Sequence, residues 1–542
     1  CSARTSPSTI LRHRPPVTPL PSDGPIRHLC VASCAMPATE ATPLKTADSV
    51  THLGSPRLSH MGLVRKVGPA LLGNMIEFYE FGVYALVTEA LHENFFGEDD
   101  QYGVWLGFGI SFVARPFGGF FFGYLADRIS RRFALVVSIG GMIVSTGCIG
   151  LLPTQVCCGQ VWGMLGVILL VACKFLQGLC VGGELTTVIV FCAEHAGRLH
   201  AGFGIALAVF TAGLGTILSE LVVMLINYLL TDEQMTAWGW RIPFLIVFPW
   251  GLFAVYLRRG LHEPDHGGEA SIDSKEIVQN DTPIKRVWRT HRWHLIVGTL
   301  MFAGQHVGFW GNIIFVKSFL IQADIRTVMW ALAATLVGLC FSLTFKIVGG
   351  ITCDRLAVHA CNKYPSLRTT LFGGVRWGAM RIAPIISAML VLVVFPLWVL
   401  MVVPDQSWAS LVAEAIFGVF DGILGIVLIL IALELFPVSV RATGIGLSYN
   451  IAHALFSSVT PLIAGAVWKN WKHLEEKADA DSVFGRTPWL ANTAPAMWPL
   501  ICYIITALAL VPLMRGWIKT ESHFLMEADA AGGKMSPAKE HR

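Results

Sequence analysis

The chain has 542 residues, of which 54% are hydrophobic and 14% charged, with a mean hydropathy of +0.60 and a formal net charge of +4. A soluble domain carries about a quarter charged residues, so a water-covered globule is excluded. The charge is mild and no basic aromatic stripe, finger or helix-turn-helix pattern is present, which excludes nucleic acid as a partner.

Residues 1–62 are rich in Pro, Ser, Thr and Arg, poor in acids and without hydrophobic periodicity. That composition suits a disordered tail, or translated sequence ahead of a start at Met36 or Met61; an organelle transit peptide has a similar composition. From there on, apolar runs dominate. A bilayer crossing needs about 20 mostly apolar residues, wound as helix because lipid cannot satisfy bare backbone groups. Twelve stretches qualify: 67–93, 103–126, 133–152, 161–192, 202–230, 241–258, 295–320, 327–351, 377–403, 407–435, 442–469 and 494–515. The polar stretch 259–294 divides them six and six. The expected fold is therefore all-α and integral to the membrane. An N-terminal bundle spans 63–258, an interdomain loop 259–294, a C-terminal bundle 295–515 and a tail 516–542.

Lys and Arg mark the cytoplasmic side. "DRISRR" (127–132), the basic residues of 259–294 and "DRLAVHACNKYPSLR" (354–368) follow even-numbered spans, whereas 92–101, 152–160 and 404–407 carry neither residue. Both termini are expected in the cytoplasm, with the plasma membrane as host, or an organelle membrane if 1–62 is a transit peptide. The thirteen cysteines lie mostly inside apolar segments and read as small hydrophobes. Their spacing offers no metal site or disulfide framework, and no cofactor is implied.

Charges inside spans are costly and mark function. Span one carries Glu77, Glu80 and Tyr84 on one helical face. Arg115 lies mid-span two, and Lys174 and Glu184 lie in span four. Burial favours the protonated form of a carboxylate and an approaching cation favours the ionised form, so Glu77 or Glu80 is a candidate proton carrier. Arg115 or Lys174 then serves as modulating partner or as anchor for a substrate carboxylate, a group that a guanidinium binds with two parallel hydrogen bonds. The alternative is a structural ion pair locking spans one, two and four. The second half offers Asp421, with Glu414 two turns away, and His306 and His453, which read as ordinary buried histidines. Gln305, Trp310 and Asn312 are possible cavity-lining residues. Lys317 and Lys346, near helix ends, read as snorkelling.

"GYLADRISRR" (123–132) recurs as "GITCDRLAVH" (350–359), with Gly123, Asp127 and Arg128 in register with Gly350, Asp354 and Arg355, 227 residues apart. Internal duplication of this kind marks secondary transporters. "GYLADRISRR" also resembles the signature of the major facilitator superfamily. With "GNMIEFYEFGVY" (73–84), "ARPFGGFFFGYLADR" (114–128), "KFLQGLCVGGE" (174–184), "WGWRIPF" (238–244) and "ELFPVSVRATGIGLSYN" (434–450), the chain is similar over residues 65–515 to the metabolite:proton symporters, which carry proline/betaine, shikimate, citrate and 2-oxoglutarate. Ser130 replaces a signature glycine, and 193–203 lacks the proline and extra basic residues usual there.

The resemblance implies two six-helix pseudo-repeats that rock about a central site, acting as a monomer in lipid on a small organic solute and a proton. Asp127 and Asp354 stand at helix ends where a carboxylate can face a neighbouring helix amino terminus. Arg128, Arg132 and Arg441 can pair with Glu194 and Glu434 to hold the inner face shut, and Gly118, Gly119 and Gly123 allow close helix approach there. Competing readings are a non-transporting sensor on the same fold, a carrier of sugars or other solutes, and an intramembrane enzyme. The last finds no nucleophile–base set and no HExxH motif.

Overall fold

The computed structural model describes residues 60–96, 103–128, 131–196, 200–259, 283–368, 373–404, 406–437, 440–477 and 488–518. The expected terminal segments, 1–59 of the 1–62 extension and 519–542 of the tail, lie outside the described residues. Within them the chain is helical. The first six crossings are α1 (His60–Leu86), α2 (Gly103–Arg128), α3 (Arg131–Ile149), α4 (Gln160–Val181, resuming as Glu184–Ala196), α5 (Ala201–Leu229) and α6 (Arg241–Leu245 and Val247–Arg259). The second six are α7 (Arg292–Met301 through Val316–Gln322), α8 (Val328–Lys363), α9 (Gly373–Val402), α10 (Ser407–Leu435), α11 (Arg441–Ala452 through Thr460–Glu476) and α12 (Met497–Met514, entered through Pro488–Ala496). Among the described residues, seven helices are long and apolar enough to cross a membrane by length and composition alone. We call "inner" the end that the Lys/Arg bias assigns to the cytoplasm.

Three elements depart from the sequence expectation. Helix α8 runs twelve residues past its expected end at 351, because Asp354, Arg355 and Lys363 are as compatible with a helix projecting into water as with a loop. Helices α7 and α11 each contain a π-helical stretch, Gly308–Phe315 and His453–Ser457. Such turns leave backbone groups imperfectly matched and recur at functional sites. Cys157 and Cys158, in the loop between α3 and α4, are joined as a disulfide rather than packed as small hydrophobes, being neighbours on a polar, exposed turn.

The halves meet chiefly where α5 packs on α8 and α2 on α11. At the inner end Gly202 and Gly350 cross so closely that a Cβ on either would collide with the other's backbone. Gly118 likewise lies against the backbone of Leu179, seating α2 on α4. The "WGWRIPF" stretch is a structural clamp. Trp240 is buried against Phe95 and Phe244, and the Arg241 guanidinium donates to the carbonyls of Gly150 and Leu152 at the end of α3 (3.0 and 2.8 Å).

Candidate functional site

The charged residues of the first half converge on one another inside the bundle. Glu77, Glu80, Tyr84, Arg115 and Lys174 are all buried. Glu80 Oε2 accepts hydrogen bonds from Thr146 Oγ1 (2.6 Å) and Gln177 Nε2 (3.4 Å), and Gln177 Oε1 accepts from Lys174. Glu80 is thus linked to Lys174 through a neutral amide. Lys174 Nζ also lies 4.0 Å from the Tyr84 ring centroid. The Arg115 guanidinium sits 4.4 Å from the Phe81 ring and 4.7 Å from the Phe112 ring, within electrostatic reach of Glu77. Its Nε has no hydrogen-bond partner among the described residues.

The second half adds aromatic and imidazole rings to this cluster. Phe112 stacks on His453 (5.1 Å) and packs edge-on to Trp310 (5.3 Å), so the seam between halves at mid-depth is aromatic. The histidines are partners, not isolated: His306 and His453 stack at 3.7 Å, with Tyr449 edge-on to both. His306 bonds Gln305 and the Tyr449 carbonyl (2.6 and 3.1 Å), and His453 bonds Ser457 (3.0 Å). Asn312 is held by Tyr503 and Trp398. Asp421 accepts from Ser342 (2.6 Å) and pairs with Lys346 (3.6 Å).

Each end of the seam is shut by contacts between halves. At the inner end, both oxygens of Asp354 accept backbone N–H groups, from Gly202 and Phe203 (2.8 Å each), at the amino terminus of α5. There the helix leaves donors unpaired and the dipole favours an anion. Asn450 of α11 donates to the Gly182 carbonyl beside α4 (2.7 Å). Within the second half, Glu434 of α10 meets Arg376 of α9 at 4.0 Å, a partner not expected from the sequence, while Arg441 is buried and Arg355 exposed. Gly123, Asp127, Arg128, Arg132, Glu184 and Glu194 lie outside the residues whose side chains the structure describes.

At the outer end Lys317 of α7 donates to the Leu86 carbonyl that ends α1 (2.6 Å) and pairs with Glu89 (3.1 Å), beside a Thr88–Ser318 hydroxyl contact of 2.8 Å. Lys317 and Lys346 therefore do not snorkel. Both are buried, because Glu89 at the outer end and Asp421 inside the bundle offer what the bilayer surface would otherwise supply. Replacing Lys317 by methionine keeps the stem and removes the charge, and should weaken outer closure by about 2–4 kcal/mol. The readout is alkylation of a cysteine introduced at Ser318, expected to become at least tenfold faster; an unchanged rate would show that Lys317 is no latch.

Two six-helix halves packed around a polar and aromatic cluster, with contacts at both ends, have the architecture of a two-bundle membrane carrier, and the relatives below are transporters. The sequence matches the Major Facilitator Superfamily over residues 70–461. It is 27% identical over 522 residues to the glycine betaine/proline/ectoine/pipecolic acid transporter OusA of Dickeya dadantii, covering 91% of this chain and 90% of that one. It is 30% identical to the ectoine/proline transporter ProP of Corynebacterium glutamicum, covering 74% and 78%. A proline/betaine transporter of Salmonella typhimurium is 39% identical over 216 residues, a stretch that spans 42% of that protein. Among solved structures, the proton:xylose symporter XylE superimposes with a TM-score of 0.61 at 15% identity, over 86% of this chain and 99% of XylE, a likeness of fold. The chain belongs to the major facilitator superfamily, in its metabolite:proton symporter family. It is accordingly an integral, multi-pass membrane transporter.

Proposed function

We propose that the chain is a proton-coupled symporter for a small carboxylate-bearing metabolite or osmolyte, working by alternating access as a monomer in the plasma membrane, with both termini cytoplasmic. The observation that carries this reading is Arg115. It is a buried guanidinium lying against two phenyl rings at the seam, with its Nε lacking a hydrogen-bond partner among the described residues and with Glu77 within electrostatic reach. Such a group binds a carboxylate through parallel hydrogen bonds. A proton taken up on Glu77 or Glu80 removes the competing negative charge and frees Arg115 or Lys174 for the solute. Tyr84, Glu184 and Asp421 are the further solute contacts. The rings of Phe112, Trp310 and Tyr449 would suit an ammonium group by cation–π attraction, which favours a zwitterion of the kind named for the relatives over a polyanion. Gly123, Asp127, Arg128, Arg132 and Glu194, with Gly350, Asp354, Arg355, Glu434 and Arg441, form the inner gate.

The test is purified protein in liposomes with a trapped pH dye, given proline, betaine, shikimate, citrate and 2-oxoglutarate in turn. Solute-dependent acidification that falls to background in Glu77→Gln or Glu80→Gln is the expected result. Uptake that stays proton-driven in both variants would remove these residues as carriers.

A further inference from the structure

Helices α5 and α10 belong to different halves and pack against each other towards the outer end. Each brings one acid to that contact, Glu220 and Glu414. Both are fully buried, and none of their four carboxylate oxygens has a hydrogen-bond partner. The two feel each other's charge. Glu414 rests on Gly338 of α8, where a Cβ would strike its carboxylate. Neither acid belongs to the Glu77–Arg115 cluster, and no role has yet been given to either.

Two bare carboxylates in a low-dielectric contact are not tolerated as a pair of anions. Some cation must accompany them. A metal ion would need several oxygen ligands, yet among the described residues no third Asp, Glu, His or Cys joins them in a group that could hold one. A proton needs only one acceptor. We propose that Glu220 and Glu414 form a second proton-binding site, separate from Glu77 and Glu80, whose occupation is the condition for closing the outer face.

The coupling follows from where the acids sit. When the halves part at the outer end, each carboxylate gains water and both can ionise. Closing drives them together and out of water, so at least one proton must be taken from the external side, forming an O–H bond on one carboxylate and leaving the other as its acceptor. Outer closure is then favoured by acid. The neighbouring charges argue the other way. Lys317 of α7 acts on Glu220 but is already engaged by Glu89 and the Leu86 carbonyl. Loss of that ion pair would weaken the latch and open the face, the opposite of closure. Asp421, on α10 itself, is paired with Lys346 of α8 and bonded to Ser342. Arg326, near Ser410 one turn above Glu414, donates to the Ser410 hydroxyl and to the carbonyls of Met401, Val403 and Gln406. On the adjoining α7 and α11, added charge on the stacked His306 and His453 would repel and loosen the seam. Among the charges that face the acid pair, only the pair itself makes outer closure rise as pH falls. The inner-gate Asp354 and the proposed proton carriers Glu77 and Glu80 lie elsewhere, so loss of the slope in the glutamine variants, together with its sign, identifies the group responsible.

The experiment needs no solute. Spin labels are attached through encoded unnatural side chains at Glu93 and Gln322, exposed positions on either side of the outer end, leaving the native cysteines untouched. The distance distribution is then followed from pH 5 to pH 9. In the wild-type chain the ratio of closed to open populations should rise as pH falls, by up to about tenfold per pH unit for one linked proton. In Glu220→Gln/Glu414→Gln it should stay closed and flat. Glutamine keeps the shape and removes the charge, and Glu414→Asp, which restores the acid, should restore the slope. A double variant that keeps the wild-type slope, a slope of opposite sign, or closure driven by sodium at constant pH would each overturn the proposal. Because solute uptake is not measured, silence of every solute in the liposome assay would defeat the proposed function and leave this inference standing. A flat distance profile with intact symport would do the reverse.

Discussion

Replacing Arg115 by lysine should raise the apparent KM for solute uptake by about 10- to 100-fold while the protein still folds. The charge survives the change, so the attraction to Glu77 and the burial of a cation in the first half are retained. What is lost is geometry. A guanidinium presents a planar fork, and its Cζ lies 4.4 and 4.7 Å from the Phe81 and Phe112 ring centroids. An ammonium is a compact point charge that cannot donate two parallel bonds. Losing one charge-assisted hydrogen bond to a carboxylate costs about 1.5–3 kcal/mol, which is about one to two decades of affinity. Initial-rate uptake with labelled solute checks this, with folding followed by thermal denaturation in detergent. A variant with unchanged KM would remove Arg115 from the solute site and leave it as part of the scaffold. A variant with lower maximal rate and unchanged KM would assign it to coupling instead.

The charged cluster is legible in the sequence because acids and bases in lipid-spanning runs are too costly to be incidental. Glu77, Glu80, Arg115, Lys174 and Asp421 could each be picked out by that cost alone. Their partners could not. Thr146 and Gln177, which bridge Glu80 to Lys174, are neutral residues that any apolar helix can carry. The π-helical turns at 308–315 and 453–457, which bear Trp310, Asn312 and His453, leave no periodicity to find. Lys317 and Lys346 show a further limit. With the end of α8 expected at 351, Lys346 reads as a helix-end lysine, whereas the helix runs to Lys363 and places it mid-helix, and Lys317 has the same local sequence whether it reaches the interface or turns inward. Glu220 was open to the same cost argument as Glu77, lying in "TILSELVVML". It stands outside every repeated or family-like stretch, and only its unpartnered burial where α5 packs on α10, the helix that carries Glu414, distinguishes it. Arg376 is the same case at the inner end, visible as a mid-chain arginine but joined to Glu434 only by the packing of α9 on α10.

Asp354→Asn should open the inner face and reduce uptake at least tenfold with little loss of folded protein. The aspartate accepts one backbone N–H on each oxygen, from Gly202 and Phe203, both at 2.8 Å. Asparagine has a single acceptor oxygen, so its amide nitrogen must face one of those N–H groups donor to donor. The variant also loses the anion that the amino terminus of α5 attracts. One charged hydrogen bond and the helix-terminus term together amount to about 2–4 kcal/mol, acting on the equilibrium between closed and open rather than on either half's core. The effect is confined to that contact because Gly202 and Gly350 already place the two backbones together, and they part only when the gate opens. Fluorescent-thiol labelling of a cysteine introduced at Ala206, one turn inside the contact, measures the opening. Faster labelling with slower uptake is the expected pair of results, and Asp354→Glu, which restores the charge at a longer reach, should recover part of each. Unchanged labelling with lost uptake would instead place Asp354 on the path of the proton, and unchanged uptake would remove it from the gate.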